Sequence, residues 1–104
     1  MVKQMYKLSY LSNVFIELEH ILSYIRDELD SPQAAENLLL EFQSATESLT
    51  QFPYANQAYI PLIDTGKSYR RKVIKNYLFF YRVDEDEQVV TIVKIKHARQ
   101  DYTI

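Results

Sequence analysis

The chain has no cysteine, no tryptophan, a single glycine and only two histidines among 104 residues. Each shortage closes a route. Without cysteine there is no disulfide scaffold, no thiol nucleophile and no Cys-based metal site, and this composition fits a reducing cytoplasm. The one glycine, Gly66, cannot build a Gly-rich loop that cradles phosphates. No G-x-S-x-G nucleophile elbow is present either. His20 and His97 lack ligand-like spacing to carboxylates, and His20 falls beside a helical stripe, as a surface residue would. Neither a metal nor any other cofactor is expected. Glu17 and Glu19 point apart on a helix and make no acid/base pair. No stretch approaches the ~18 apolar residues of a membrane span. The start, MVKQMYKLSY, lacks the sustained apolar core of a secretory signal. A cytoplasmic protein with no membrane partner is the expectation.

What is present points to one compact domain over residues 1–104. The hydrophobic fraction is 47%, enough for a single modest core. Tyrosine is abundant, at nine residues, and suits half-buried sheet surfaces where one end stays wet. The net charge of −2 hides a division. Residues 1–66 carry three cations against nine acids, and residues 67–104 carry nine cations against five acids. Such asymmetry fits a polyanionic partner, or acidic helices and basic strands that complement each other.

Periodicity orders the chain. Tyr6–Leu11 alternates as a short strand. Val14–Leu29 carries a helical stripe at Leu18, Ile21, Leu22, Ile25 and Leu29, with Ser12 or Asn13 as N-cap. Ser31 and Pro32 fit the N-cap and first position of a second helix, whose stripe is Ala35, Leu38, Phe42, Ala45 and Leu49. Two helices joined so closely should form an antiparallel hairpin, the stripes serving core packing. Phe52-Pro53 ends that helix and Tyr54–Ala58 is a loop. Ile60–Ile63 reads as a short edge strand and Asp64–Gly66 as a turn. Three strands follow: Tyr69–Lys75, Tyr77–Val83 and Val89–Lys96, linked by turns at Asn76 and at Asp84–Glu87. In the middle strand Tyr77, Phe79, Tyr81 and Val83 share one face, opposite Leu78, Phe80 and Arg82. In the last, Val89, Thr91, Val93 and Ile95 oppose Val90, Ile92, Lys94 and Lys96. Short links imply sequential antiparallel pairing. The expected fold is α+β, in the order β-α-α-β-β-β, an antiparallel sheet with the helical hairpin packed on one face.

The candidate site lies in the three strands. Arg70, Lys72, Lys75, Arg82, Lys94 and Lys96 can grip phosphates of a nucleic acid or an acidic protein segment. Arg71, His97, Arg99 and Tyr102 are the candidate catalytic set. His97 is the one plausible neutral-pH acid/base group among them. Metal-free RNA cleavage needs little more than an acid, a base and cations for the developing phosphorane charge. A solvated basic face with no catalytic role is the plainer alternative.

The order of these segments resembles the RelE/ParE superfamily of toxins from type II toxin–antitoxin (plasmid-stabilisation) modules. The resemblance spans nearly the whole chain. It rests on Tyr6–Leu11, Ser31-Pro32 with Ala34-Ala35, Leu49-x-x-Phe52-Pro53, Tyr69-Arg70, Asn76-Tyr77-Leu78-Phe79-Phe80-Tyr81-Arg82-Val83, and His97-x-Arg99-x-Asp101. It implies a growth-inhibiting toxin neutralised by a cognate antitoxin protein, whose acidic or amphipathic tail would lie over the basic sheet face. RelE-like members cleave mRNA in the ribosome without a metal; ParE-like members poison DNA gyrase. RelE-like toxins place an Arg at the head of Arg-Leu-Val-Tyr in the middle strand, where this chain has Leu78-Phe79-Phe80-Tyr81. The segment is more similar to the ParE side. mRNA cleavage then requires Arg71, His97, Arg99 and Tyr102 to rebuild a centre. An inactive member acting only as a binding module is the third reading.

Overall fold

The structure is a computed structural model that describes residues 5–56, 58–59 and 68–98. Strand β1 is Lys7–Tyr10. Helix α1, Ser12–Ser23, runs on into a π-helical turn at Tyr24–Glu28. Helix α2 is Pro32–Ser48. Four strands follow: β2, Ala58–Tyr59; β3, Ser68–Ile74; β4, Tyr77–Asp84; and β5, Val89–His97. They form one sheet in the order β1-β5-β4-β3-β2. The α+β class and the β-α-α-β-β-β core of the order stand as expected.

The direction of one strand does not. β3, β4 and β5 are antiparallel, but β1 pairs parallel to β5, so the sheet is mixed. Short links dictate direction only between neighbours in sequence. β1 and β5 are separated by most of the chain, and nothing local constrains how they meet. Ala58, expected in a loop, belongs instead to the two-residue β2, opposite Arg70. The expected edge strand Ile60–Ile63 and the turn Asp64–Gly66 lie outside the described residues.

The helices bury the stripes that periodicity picks out. Leu18, Leu22 and Ile25 are buried with Val14, and on α2 Ala35, Leu38 and Phe42 are buried, as is Leu49 at its C-cap. Leu29 is exposed, because the π-helical turn delays the chain before Asp30 turns it with φ 49°. A short polar side chain tolerates that left-handed backbone better than most. The expected side-chain cap is absent at α1, whose N-cap position is Leu11. Asn13 is used elsewhere: its Nδ2 donates to the carbonyl of Val93 at 3.2 Å. Ser31 and Pro32 sit at the N-cap and first position of α2 as expected, although Ser31 makes no side-chain cap bond.

That contact of Asn13 marks a β-bulge. Phe80 pairs with Lys94 but Tyr81 pairs with Ile92, which leaves Val93 as an extra residue in β5. The strict alternation expected of β5 therefore breaks. Val90, Ile92 and Ile95 all face the helices and join the core, while Thr91, Lys94 and Lys96 face away. A bulge re-aims the side chains beyond it. Here it lets both apolar ends of β5 reach one core. β4 alternates as expected, with Phe79, Tyr81 and Val83 in the core and Tyr77 packed against it.

The centre of the core is an aromatic contact between layers. The rings of Phe42 and Phe79 lie 4.5 Å apart, and Tyr10 adds a third ring 6.0 Å from Phe42. Such pairs contribute beyond their buried area. Phe42→Ala should lower unfolding free energy by about 3–5 kcal/mol in urea titrations, whereas Leu40→Ala, two residues away and exposed, should change it by less than about 0.5 kcal/mol.

Candidate functional site

Register places the cations in two groups. On the face away from the helices, three rows cross β3, β4 and β5. They are Tyr69–Arg82–Thr91, Arg71–Phe80–Lys94 and Val73–Leu78–Lys96. Four cations, Arg71, Arg82, Lys94 and Lys96, thus surround an apolar middle of Leu78 and Phe80. Strands lie about 4.8 Å apart, which puts the backbones of Arg71 and Lys94 about 10 Å from each other. Lys96 Nζ sits 5.9 Å from the centroid of the Phe80 ring. Leu78 and Phe80 are each only 5% exposed. No acidic residue occupies these rows, and the acids Asp84–Glu87 gather at the hairpin end of the sheet. The arrangement is a compact cationic face able to meet a polyanion.

The other predicted residues lie elsewhere. Lys72 pairs with the core residue Phe79 and so faces the helix side. Lys75 is in the β3–β4 turn, at φ 53°, with its ammonium 3.6 Å from Glu41. That exposed pair contributes little to stability. His97 ends β5 opposite Tyr77, with their rings edge to face at 5.3 Å. Tyr77 faces the helices, so alternation puts His97 and Arg71 on opposite faces of the sheet. Arg99 and Tyr102 lie outside the described residues. Among the described residues no three His, Cys, Asp or Glu side chains come together as metal ligands.

Arg70 has a role that sequence reasoning did not anticipate. It pairs with Tyr81 and faces the helix side. Its Nη1 donates to the carbonyl of Asn56 at 2.6 Å, and its guanidinium lies over the Tyr54 ring at 4.8 Å. Tyr81 is fully buried, and its hydroxyl donates to the Pro53 carbonyl at 3.1 Å while accepting from Asn56 Nδ2 at 3.2 Å. Together these bonds fasten the 53–56 loop to the sheet. Arg70 therefore serves the fold rather than the cationic face.

Beside this loop, Glu85 joins three distant segments. Its carboxylate accepts from the Tyr6 hydroxyl at 2.5 Å and from the Tyr54 hydroxyl. The two bonds hold the Glu85 carboxyl below its ordinary range, Tyr54 having the larger effect. The same bonds raise both phenols, Tyr54 to about 12. Burial raises the phenols of Tyr77 and Tyr81. Nothing local in the sequence signals the Glu85 cluster, since its members are 79 and 31 residues apart.

The fold matches those of chains in solved toxin–antitoxin complexes. The similar structures include a chain of the chromosomal ParDE toxin–antitoxin system of P. aeruginosa, at 18% identity and TM-score 0.69, with 90% of this chain and 97% of that one covered. A chain of the archaeal RelE–RelB complex of Pyrococcus horikoshii OT3 aligns at 18% identity and TM-score 0.58, covering 92% and 98%. One from the RelBE2 toxin–antitoxin complex of Mycobacterium tuberculosis aligns at 20% identity and TM-score 0.54, covering 89% and 91%. No curated protein sequence matches the chain. The architecture is that of the RelE/ParE superfamily. Residues 15–102 match the family model of the ParE toxin of type II toxin–antitoxin systems, and the chain belongs to that family.

The Glu85 cluster makes a testable prediction. A lowered carboxyl stabilises the fold above the ordinary Glu range, and that contribution is lost as pH falls through the lowered value. A raised phenol stabilises below its ordinary value of 10, and the contribution is lost as pH rises toward about 12. In an NMR titration of Cζ-labelled tyrosine, Tyr54 should titrate near 12, and Glu85→Gln should bring it back toward 10. An unchanged Tyr54 titration in that variant would show that Glu85 is not the cause.

Proposed function

We propose that this chain is a growth-inhibiting toxin of the cytoplasm, neutralised by a cognate antitoxin protein, and that it acts by binding DNA gyrase rather than by cutting RNA. The observation that carries the mechanism is Leu78. It lies buried in the middle of the cationic face, between Val73 and Lys96, where the resemblance to RNA-cleaving relatives calls for an arginine. A buried leucine offers neither charge for a phosphorane nor a proton for a leaving group. The split of Arg71 and His97 between two faces supports the same reading. The cations that remain together can hold an anionic surface without doing chemistry on it.

The second reading, metal-independent cleavage of mRNA on the ribosome, is supported by the cationic face itself. Four cations around the buried Leu78 and Phe80 can grip the phosphates of a single strand. In that case Arg71, His97, Arg99 and Tyr102 are the groups to supply acid, base and charge. A chain that acts only as a binding module is the remaining reading, and induction separates all three.

Expression of the chain alone in a bacterial host should arrest growth, and co-expression of the product of the neighbouring gene should restore it. Gyrase poisoning should give DNA damage and filamentation while mRNA is still intact. Cleavage would instead give rapid loss of translation with cuts in translated mRNA, and Arg71→Ala, His97→Ala or Arg99→Ala should then reduce cutting by at least ~10²-fold. Normal growth with soluble chain present would sink the toxin reading.

A further inference from the structure

The cationic face has a make-up that selects among polyanions. Arg71, Arg82, Lys94 and Lys96 rise from three adjacent strands. Alternate residues of a strand are about 6.7 Å apart, so Arg82, Lys94 and Lys96 follow one another in successive rows at that step. The positive charges form a track about 13 Å long and about 10 Å wide, the width being two strand spacings. Arg82 and Lys94 make no side-chain hydrogen bond or ion pair among the described residues. Most acids of the first half of the chain lie on the helices, across the sheet, and do not neutralise the track by contact.

What lies between the cations decides against a protein surface. Interfaces between proteins close over an apolar core from which charge is depleted. Here Leu78 and Phe80 are buried, and only Val73, at a corner of the rows, is a well-exposed apolar side chain. The same burial decides against a single strand, whose bases need exposed rings to stack on. Of the two aromatic side chains in these rows, Phe80 is buried and Tyr69 is half-buried at the margin. A duplex asks for neither an apolar centre nor a stacking ring. Its bases are already stacked and its phosphates face outward at regular intervals, and interfaces on DNA are more polar and more positive than those between proteins.

We propose that the cationic face is a sequence-independent site for the phosphate backbone of duplex DNA, through which the chain touches the DNA held by gyrase as well as the enzyme. Arg82 and Lys94 are the central contacts, with Arg71 and Lys96 flanking them. The gyrase part rests on the reading of the chain as a gyrase poison; the duplex site does not. Contacts of this number bind DNA weakly by themselves, with Kd on the order of 10⁻⁴–10⁻⁶ M at physiological salt, so the DNA contact adds to the enzyme contact and does not replace it.

The test begins with the free chain and a short fluorescent DNA duplex of mixed sequence, followed by anisotropy. Four phosphate contacts should make log K fall with log salt at a slope of about −3.6, a loss of about 10²-fold from ~50 to ~200 mM salt. Arg82→Ala/Lys94→Ala should weaken binding and bring the slope to about −1.8. The charge-keeping variant Arg82→Lys/Lys94→Arg should hold the parent slope, and Arg26→Ala, in the helical layer, should change nothing. In a gyrase cleavage assay, Arg82→Ala/Lys94→Ala should need at least ~10-fold more folded chain to trap the same amount of cut DNA. Absence of duplex binding at low salt, or a parent slope in that variant, would overturn the site. Tighter binding of single-stranded RNA of the same length would assign the face to RNA, and stronger competition by polyglutamate than by duplex at equal charge would assign it to an acidic protein surface; either overturns the proposal. Parent-level trapping by the alanine variant would overturn the contact with DNA on the enzyme and leave the gyrase reading standing. Duplex binding with the expected slope by a chain that traps no cut DNA would support the duplex site and remove the gyrase reading instead.

Discussion

β4 must be covered on both faces, and the rest of the molecule follows from that constraint. From Leu78 to Tyr81 four successive side chains are buried, and Val83 follows. An apolar run of this kind cannot sit at an edge or face water on one side. It takes the middle of the sheet, with β3 and β5 beside it and the helical hairpin across Phe79, Tyr81 and Val83. The contact of Phe42 with Phe79 ties the hairpin to the strand. The Tyr81 hydroxyl, buried at the same place, must find partners, and it finds them in Pro53 and Asn56. One strand thus positions a helix, a loop and its two neighbours.

The charge of the molecule is arranged around this strand. On the far side from the helices, Arg71, Arg82, Lys94 and Lys96 ring the buried Leu78 and Phe80. On the helix side, Arg70 is taken up by the loop, and Lys75 by an exposed contact with Glu41. The acids collect on the two helices and the turn between them and in the β4–β5 hairpin, where Glu85 holds Tyr6 and Tyr54. The asymmetry between the two halves of the chain therefore becomes an asymmetry between surfaces. A cationic face lies on one side of the sheet, and helices that carry most of the acids of the first half lie on the other.

A growth toxin needs two surfaces, one for its target and one through which it is held inactive. The side chains of the cationic face rise from three hydrogen-bonded strands around a packed apolar middle. The β1 edge instead offers backbone groups beside a narrow apolar strip.

The sequence by itself determined the elements, because they rest on local periodicity. Both helical stripes, the run of β4 and the hairpin turns follow from spacings of a few residues, as does the α+β class. It also determined the charge division between the halves and the leucine at position 78. Only the tertiary structure decided what depends on partners far apart in the chain. The parallel entry of β1, the two-residue β2 and the bulge at Val93, with Asn13 on its carbonyl, are of this kind. So is the sorting of the basic residues: Arg70 and Arg71 are neighbours in sequence, yet alternation sends one to the Asn56 loop and the other to the face away from the helices. The Glu85 cluster and the apolar strip along β1 were illegible for the same reason. Their residues are brought together by the sheet order and by the packing of α2, and neither leaves a trace in local spacing.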